Sequence, residues 1–153
     1  MNETIGTTDA WLRDIELLKQ HKARYGDCAD RCATQGMPAA DELAQLFTED
    51  AVLDFRELFG QVLTGRSEIR HHFGVNIYAD RAWMWHSFSN PIIEISGDRA
   101  RARWLLYAMT APASDPDAPP SVVYGRYDDE YVRSGSGWLQ TRLKILHETR
   151  GAR

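Results

Sequence analysis

A chain of 153 residues with 43% hydrophobic and 26% charged side chains has the size and composition of one globular domain. Its formal net charge of −4 leaves no basic field for holding phosphates, which argues against nucleic acid as a partner. No apolar run approaches the roughly 20 residues of a membrane span, and the first residues lack the basic and apolar regions of a signal peptide, which points to the cytoplasm and to no membrane contact.

Trp11, Ile15, Leu18, Lys22, Tyr25 and Ala29 recur at helical spacing and predict a helix over residues 8–33, with Asp9 as its N-cap. Lys22 and Tyr25 interrupt an otherwise apolar stripe, and Lys22 can reach out of a core along its methylenes. Cys28 and Cys32 lie one helical turn apart. They read as two small buried thiols, because zinc would need two more ligands at sensible spacing and His71 and His72 do not supply them. Gly36 and Pro38 then break the chain. A short helix is expected over residues 39–47, with Leu43, Leu46 and Phe47 inward, followed by a turn at 48–50. A strand at 51–55 pairs with 61–64 across a turn near Gly60. Ser67 caps a third helix to Val75, which packs through Ile69 and Phe73 and turns His71 and His72 to solvent or to another subunit.

The next stretch, from Trp83 to Ile95, places a histidine inside an aromatic, alternating run. On a regular strand His86 shares its face with Met84, Phe88 and Asn90, while Trp83, Trp85, Ser87 and Ser89 point the other way. A titratable ring walled by Met and Phe suits a pocket for a small apolar substrate. A core histidine bonded to a backbone carbonyl fits the same pattern. Gly97 and Asp98 form a hairpin turn into a strand at 100–108. The Pro-, Asp- and Ala-rich residues 111–120 form a loop, either a lid or a plain hairpin connection. Strands at 122–133 and 138–147 are joined by the Ser/Gly turn 134–137. Segregated helices and a run of antiparallel strands indicate a single α+β domain, with helices over one face of a curved sheet. Trp104, Tyr124 and Leu139 on the open face would favour self-association.

Several motifs carry a resemblance across nearly the whole chain. Leu46-Phe47-Thr48-Glu49-Asp50-Ala51-Val52, Gly65-Arg66-Ser67-Glu68-Ile69 and Gly125-Arg126-Tyr127-Asp128-Asp129-Glu130-Tyr131 resemble the cone-shaped α+β fold of nuclear transport factor 2 and its SnoaL-like branch. Tyr25 followed by Asp30, with His86 on a strand, resembles scytalone dehydratase, the bile acid dehydratases and hexachlorocyclohexane dehydrochlorinase. In those enzymes an aspartate at the end of the first helix holds a histidine that acts as the base of an elimination.

The resemblance implies Asp30 as that aspartate, His86 as the base and Tyr25 as the tyrosine of the bile acid enzymes. It places Arg133 where the dehydrochlorinase has an arginine. Phe55 stands where scytalone dehydratase has a tyrosine, the loop 31–39 is longer than usual, and Asp27 is a competing carboxylate. The implied enzyme is a lyase of dehydratase type, needing no cofactor and no metal, with a trimer preferred over a dimer.

A carboxylate on one ring nitrogen fixes the tautomer of a histidine and stabilises the imidazolium formed in turnover. His86 held by Asp30 is therefore a competent general base. Tyr25 can hold a carbonyl or a leaving group. Asp27, Arg133, Phe55, Met84, Phe88, Asn90 and Trp104 are the candidate substrate contacts, and the aromatic wall, with Trp83 and Trp85, suits a ring-shaped apolar substrate. The same dyad would serve an isomerase, a polyketide cyclase or a carbon–carbon-cleaving elimination. A non-catalytic binding or dimerisation module would instead fill its cone with side chains. One conflict is built in: a regular helix turns Asp30 away from the Trp11–Tyr25 stripe, so the dyad requires the helix to end or bend there.

Overall fold

A computed structural model describes residues 3–147, with side chains from residue 8 to residue 146. The first helix, α1 (Glu3–Gln35), is longer than the apolar spacing predicts at both ends, so Asp9 lies within it and caps nothing. Its buried stripe begins at Leu18 and runs through His21, Lys22, Tyr25, Ala29 and Cys32, while Trp11 is half exposed. Gly36, at φ 63°, ends it in the left-handed region that glycine adopts without penalty, and α2 (Met37–Ala44) follows directly.

The expected helix at 39–47 starts earlier and stops sooner. Phe47 opens β1 (Phe47–Phe55), and residues 48–50, expected as a turn, belong to that strand. A single turn, α3 (Arg56–Phe59), leads into β2 (Gln61–Thr64), which pairs antiparallel with β1 as expected. The third predicted helix is really three joined pieces. They are α4 (Arg66–His71), a π-helical segment (His72–Ile77) and the short α5 (Tyr78–Asp80).

The remaining strands are β3 (Arg81–Ser96), β4 (Arg99–Pro112), β5 (Ser121–Ser134) and β6 (Gly137–His147). One mixed sheet holds all six in the order β2-β1-β6-β5-β4-β3, with β1 and β6 the parallel pair. Helices cover one face of this sheet, and no described helix is long and apolar enough to cross a membrane.

The covered face is written in alternation. Ala100, Ala102, Trp104, Leu106 and Ala108 of β4 are buried, as are Gly125, Tyr127, Asp129 and Tyr131 of β5. This corrects the expectation for Trp104, which faces the helices at 3% exposure, whereas Leu105 and Tyr124 occupy the open face.

Two bulges break the alternation of β3, and both matter for the site. The register slips between Ser89 and Ile92, where Asn90 takes φ 49°, and again between Arg81 and Trp83. Each slip turns the residues beyond it to the opposite face.

Candidate active site

Gly26 lets α1 press onto β3: a Cβ there would lie 2.9 Å from Phe88 Cε2 and 3.8 Å from His86 Cβ. One turn further along the same row, Asp30 reaches over the outer edge of the sheet. Its Oδ1 stands 2.5 Å from His86 Nδ1, and its Oδ2 accepts the His86 backbone N–H at 3.1 Å. The helix does not end at this point but runs on to Gln35. Because β3 is an edge strand, it has backbone groups without strand partners, and Asp30 satisfies one of them while orienting the imidazole of the same residue. With Nδ1 engaged, Nε2 is the nitrogen available to a ligand.

His86 lines a cavity of about 200 Å³ inside the cone. Tyr25, Phe55 and Met84, all named from the sequence, line it too. So do Tyr127 and His72, which were not. Tyr25 packs edge-on against Phe47, Phe73 and Tyr127. Burial pushes its hydroxyl well above the usual phenol range, with Tyr127 adding to the shift, so Tyr25 stays a neutral hydrogen-bond donor. Burial acts on Tyr127 in the same direction.

His72 is buried, contrary to the solvated position expected for it, while His71 is exposed as expected. The π-helical segment begins at His72, and its ring packs on Phe55 and Phe73. Burial lowers its pKa, so it is neutral near pH 7. Gln61 Nε2 lies 3.3 Å from its Nδ1, an arrangement that leaves Nε2–H as a donor. The sequence did hold a signal for this placement, since His72 is three residues after the buried Ile69 and next to Phe73.

A wider groove of about 520 Å³ approaches His86 from the side of α1, and it is here that Asp27, Phe88 and Trp104 lie. Asp27 does not compete for the histidine; it is exposed and pairs with Arg31 at 3.0 Å. Phe88 stacks parallel to His86, with ring centroids 5.9 Å apart. Lys22, also on this groove, is fully buried and does not snorkel. Its Nζ is 2.8 Å from Asp129 Oδ2 and sits over the rings of Tyr127, Phe88 and Tyr25. Desolvation pushes the ammonium down to about 8, against the pull of Asp129.

Two expected contacts fall elsewhere. Arg133 binds Asp14 at 2.8 Å and Asp98 at 3.0 Å and lies over Trp138, which fastens α1 to the β5–β6 hairpin and lines neither the cavity nor the groove. Asn90 is exposed on the bulge and leaves the face of His86. Trp85 is likewise exposed on the open face, against Tyr107, and neither it nor Trp83 lines the cavity. Cys28 and Cys32 are free, buried thiols, and burial raises Cys32 to about 12.

A six-stranded curved mixed sheet covered by helices on one face defines a class of small cone-shaped domain. The family model for the SnoaL-like domain matches residues 10–144, and the chain belongs to that family. Among solved structures, one from Novosphingobium aromaticivorans, provisionally assigned as a scytalone dehydratase, is 22% identical. It aligns over 93% of this chain and 89% of its own, with a TM-score of 0.80. A nuclear transport factor 2-like protein of cystatin-like fold from the same organism is 21% identical over 99% of this chain and 93% of its own, at 0.76. A hexachlorocyclohexane dehydrochlorinase from Novosphingobium barchaimii is 13% identical over 91% and 89%, at 0.75. At these identities the likeness is one of fold. No protein of curated function matches the chain in sequence.

Proposed function

We propose that this protein is a cofactor-independent lyase, a dehydratase acting on a small cyclic or aromatic hydroxylated compound. The observation that carries the reading is the 2.5 Å approach of Asp30 to His86 Nδ1 at the wall of an apolar cavity. In this reading Nδ1–H donates to Asp30, which holds the ring so that the Nε2 lone pair faces the substrate. Nε2 removes a proton from a carbon next to a carbonyl or ring. The electron pair of that C–H bond forms a double bond as the neighbouring C–O bond breaks. The proton on Nε2 then passes to the departing hydroxyl, so that water leaves and the histidine is restored. Tyr25 and Tyr127, kept protonated by burial, donate hydrogen bonds to the oxygen on which charge develops. The cavity is walled by Phe55, Phe73 and Met84, which suits a flat ring.

Self-association belongs to the same proposal, with a trimer preferred. Trp85, Leu105 and Tyr124 are exposed together on the uncovered sheet face.

The test is to incubate the protein with hydroxylated ring compounds in heavy water, following loss of water by mass and deuterium uptake at carbon by NMR. Loss of water by the wild type, slowed by about 10²–10⁴-fold in Asp30→Asn and His86→Ala, is the expected result. Deuterium uptake without loss of water would point to an isomerase. Neither change with any compound would end the enzymatic reading.

A further inference from the structure

The bulge between Arg81 and Trp83 has a consequence for substrate choice. On an unbroken strand, odd-numbered Arg81 would face away from Met84 and His86. The slipped register turns it inward, and Arg81 lines the same cavity as they do. Among the described residues no Asp or Glu lines that cavity, and Arg81 is the one permanently charged group that does. Arg81 is half-buried and forms no ion pair with any described residue. Arg31, Arg66 and Arg133, which are partly buried too, are paired with Glu42, Glu49 and Asp14. Two hydroxyl-bearing residues stand at the same end. Thr110 and Ser121 are register partners across β4 and β5, and both line the cavity.

From this arrangement we infer that the cavity takes a ring compound bearing a carboxylate, which Arg81 holds with Thr110 and Ser121 while the ring lies towards His86. The inference rests on the acid–base reading for what happens to the substrate, but not for its binding. A half-buried guanidinium without a counter-ion is costly in the empty protein, and a carboxylate is the planar anion that a guanidinium fork matches in two hydrogen bonds. Arg81 and His86 are five residues apart, roughly 16 Å of extended strand. Side chains reaching in from both ends narrow that gap to the length of a substituted ring.

The experiment measures binding and needs no turnover. Titration calorimetry compares 2-naphthoate with its neutral isostere 2-naphthamide, on wild type, Arg81→Gln, Arg81→Lys and His86→Asn. Wild type should prefer the carboxylate by about tenfold or more, and the preference should weaken as salt is added. Arg81→Gln should lose the preference while still binding the amide, which shows that the cavity is intact. Arg81→Lys should keep part of it. His86→Asn should keep all of it, since binding of the carboxylate does not use the base; a wild type that prefers the carboxylate yet releases no water sinks the mechanism and spares the substrate class. Equal affinity of wild type for the two probes, no binding of naphthoate, or a preference that survives in Arg81→Gln overturns the inference.

Discussion

Gly26 of α1 and Phe88 of β3 touch so closely that any side chain at position 26 would strike the Phe88 ring. Lys22, Gly26 and Asp30 form one row on the helix at i, i+4 and i+8, and the missing side chain in the middle lets the row approach the strand. We expect Gly26→Ala to push the helix outward and cost up to about 10²-fold in turnover, since a displacement of about 1 Å at a catalytic pair has that effect. Stability should fall by no more than about 2 kcal/mol, because the overpacking cost of about 1–3 kcal/mol is partly offset by about 1 kcal/mol of helix propensity. Parallel measurement of kcat and of the thermal midpoint checks this. A G26A variant with wild-type kcat would show that the close approach does not position Asp30.

Lys22 and Asp129 are buried together, and Tyr131 also donates to Asp129 Oδ2 at 2.9 Å. Removing one member strands the other's charge away from water. Lys22→Met should therefore destabilise the protein by about 3–5 kcal/mol, and the double change Lys22→Met with Asp129→Leu should recover much of that loss. Urea unfolding of the two singles and the double forms a complete cycle. Additive single effects would contradict the coupling drawn from the structure.

His21 is buried, its Nε2 is 2.9 Å from the Leu46 carbonyl, and desolvation lowers its pKa to about 4. The unfolded chain takes up this proton near pH 6.5, while the folded protein resists it until about pH 4. The unfolded state thus binds more protons between these values, so stability is full above pH 6.5 and falls as the pH drops through the window. The difference is worth about 3 kcal/mol in order of magnitude, and His72 adds in the same direction. Denaturant midpoints at pH 7, 5.5 and 4 should fall in sequence for wild type and less steeply for His21→Gln. A flat wild-type profile would refute the assignment.

Arg133 ties Asp14 of α1 to the β5–β6 hairpin and covers Trp138. Its guanidinium lies outside the cavity, so Arg133→Gln should lower stability by about 1 kcal/mol and leave kcat/KM within about twofold. A large loss of kcat/KM at unchanged stability would return Arg133 to the site.

The sequence alone determined the strands and hairpins from β3 to β6, because the turns at Gly97 and Gly135 are local signals that tertiary packing had no reason to override, whereas the parallel pairing of β1 with β6 was decided by the fold. Resemblance supplied Tyr25, Asp30 and His86, and the fold brings Asp30 and His86 into contact across 56 residues of chain. What the pattern missed were departures from regular periods. Strict alternation kept Asn90 on the inner face and would have turned Arg81 outward, and the two bulges of β3 reverse both. His72 was expected in solvent although its spacing from Ile69 already puts it on the packed face, and the π-helical segment buries it. The conflict over Asp30 came from leaving Gly26 out of the buried stripe. Glycine adds nothing to such a stripe, yet the absence of a side chain at Gly26 is what brings the helix to the strand. Periodicity records where side chains are apolar. Whether a backbone slips by one residue, or approaches because a side chain is missing, is decided by contacts between distant segments, and here those contacts built the site.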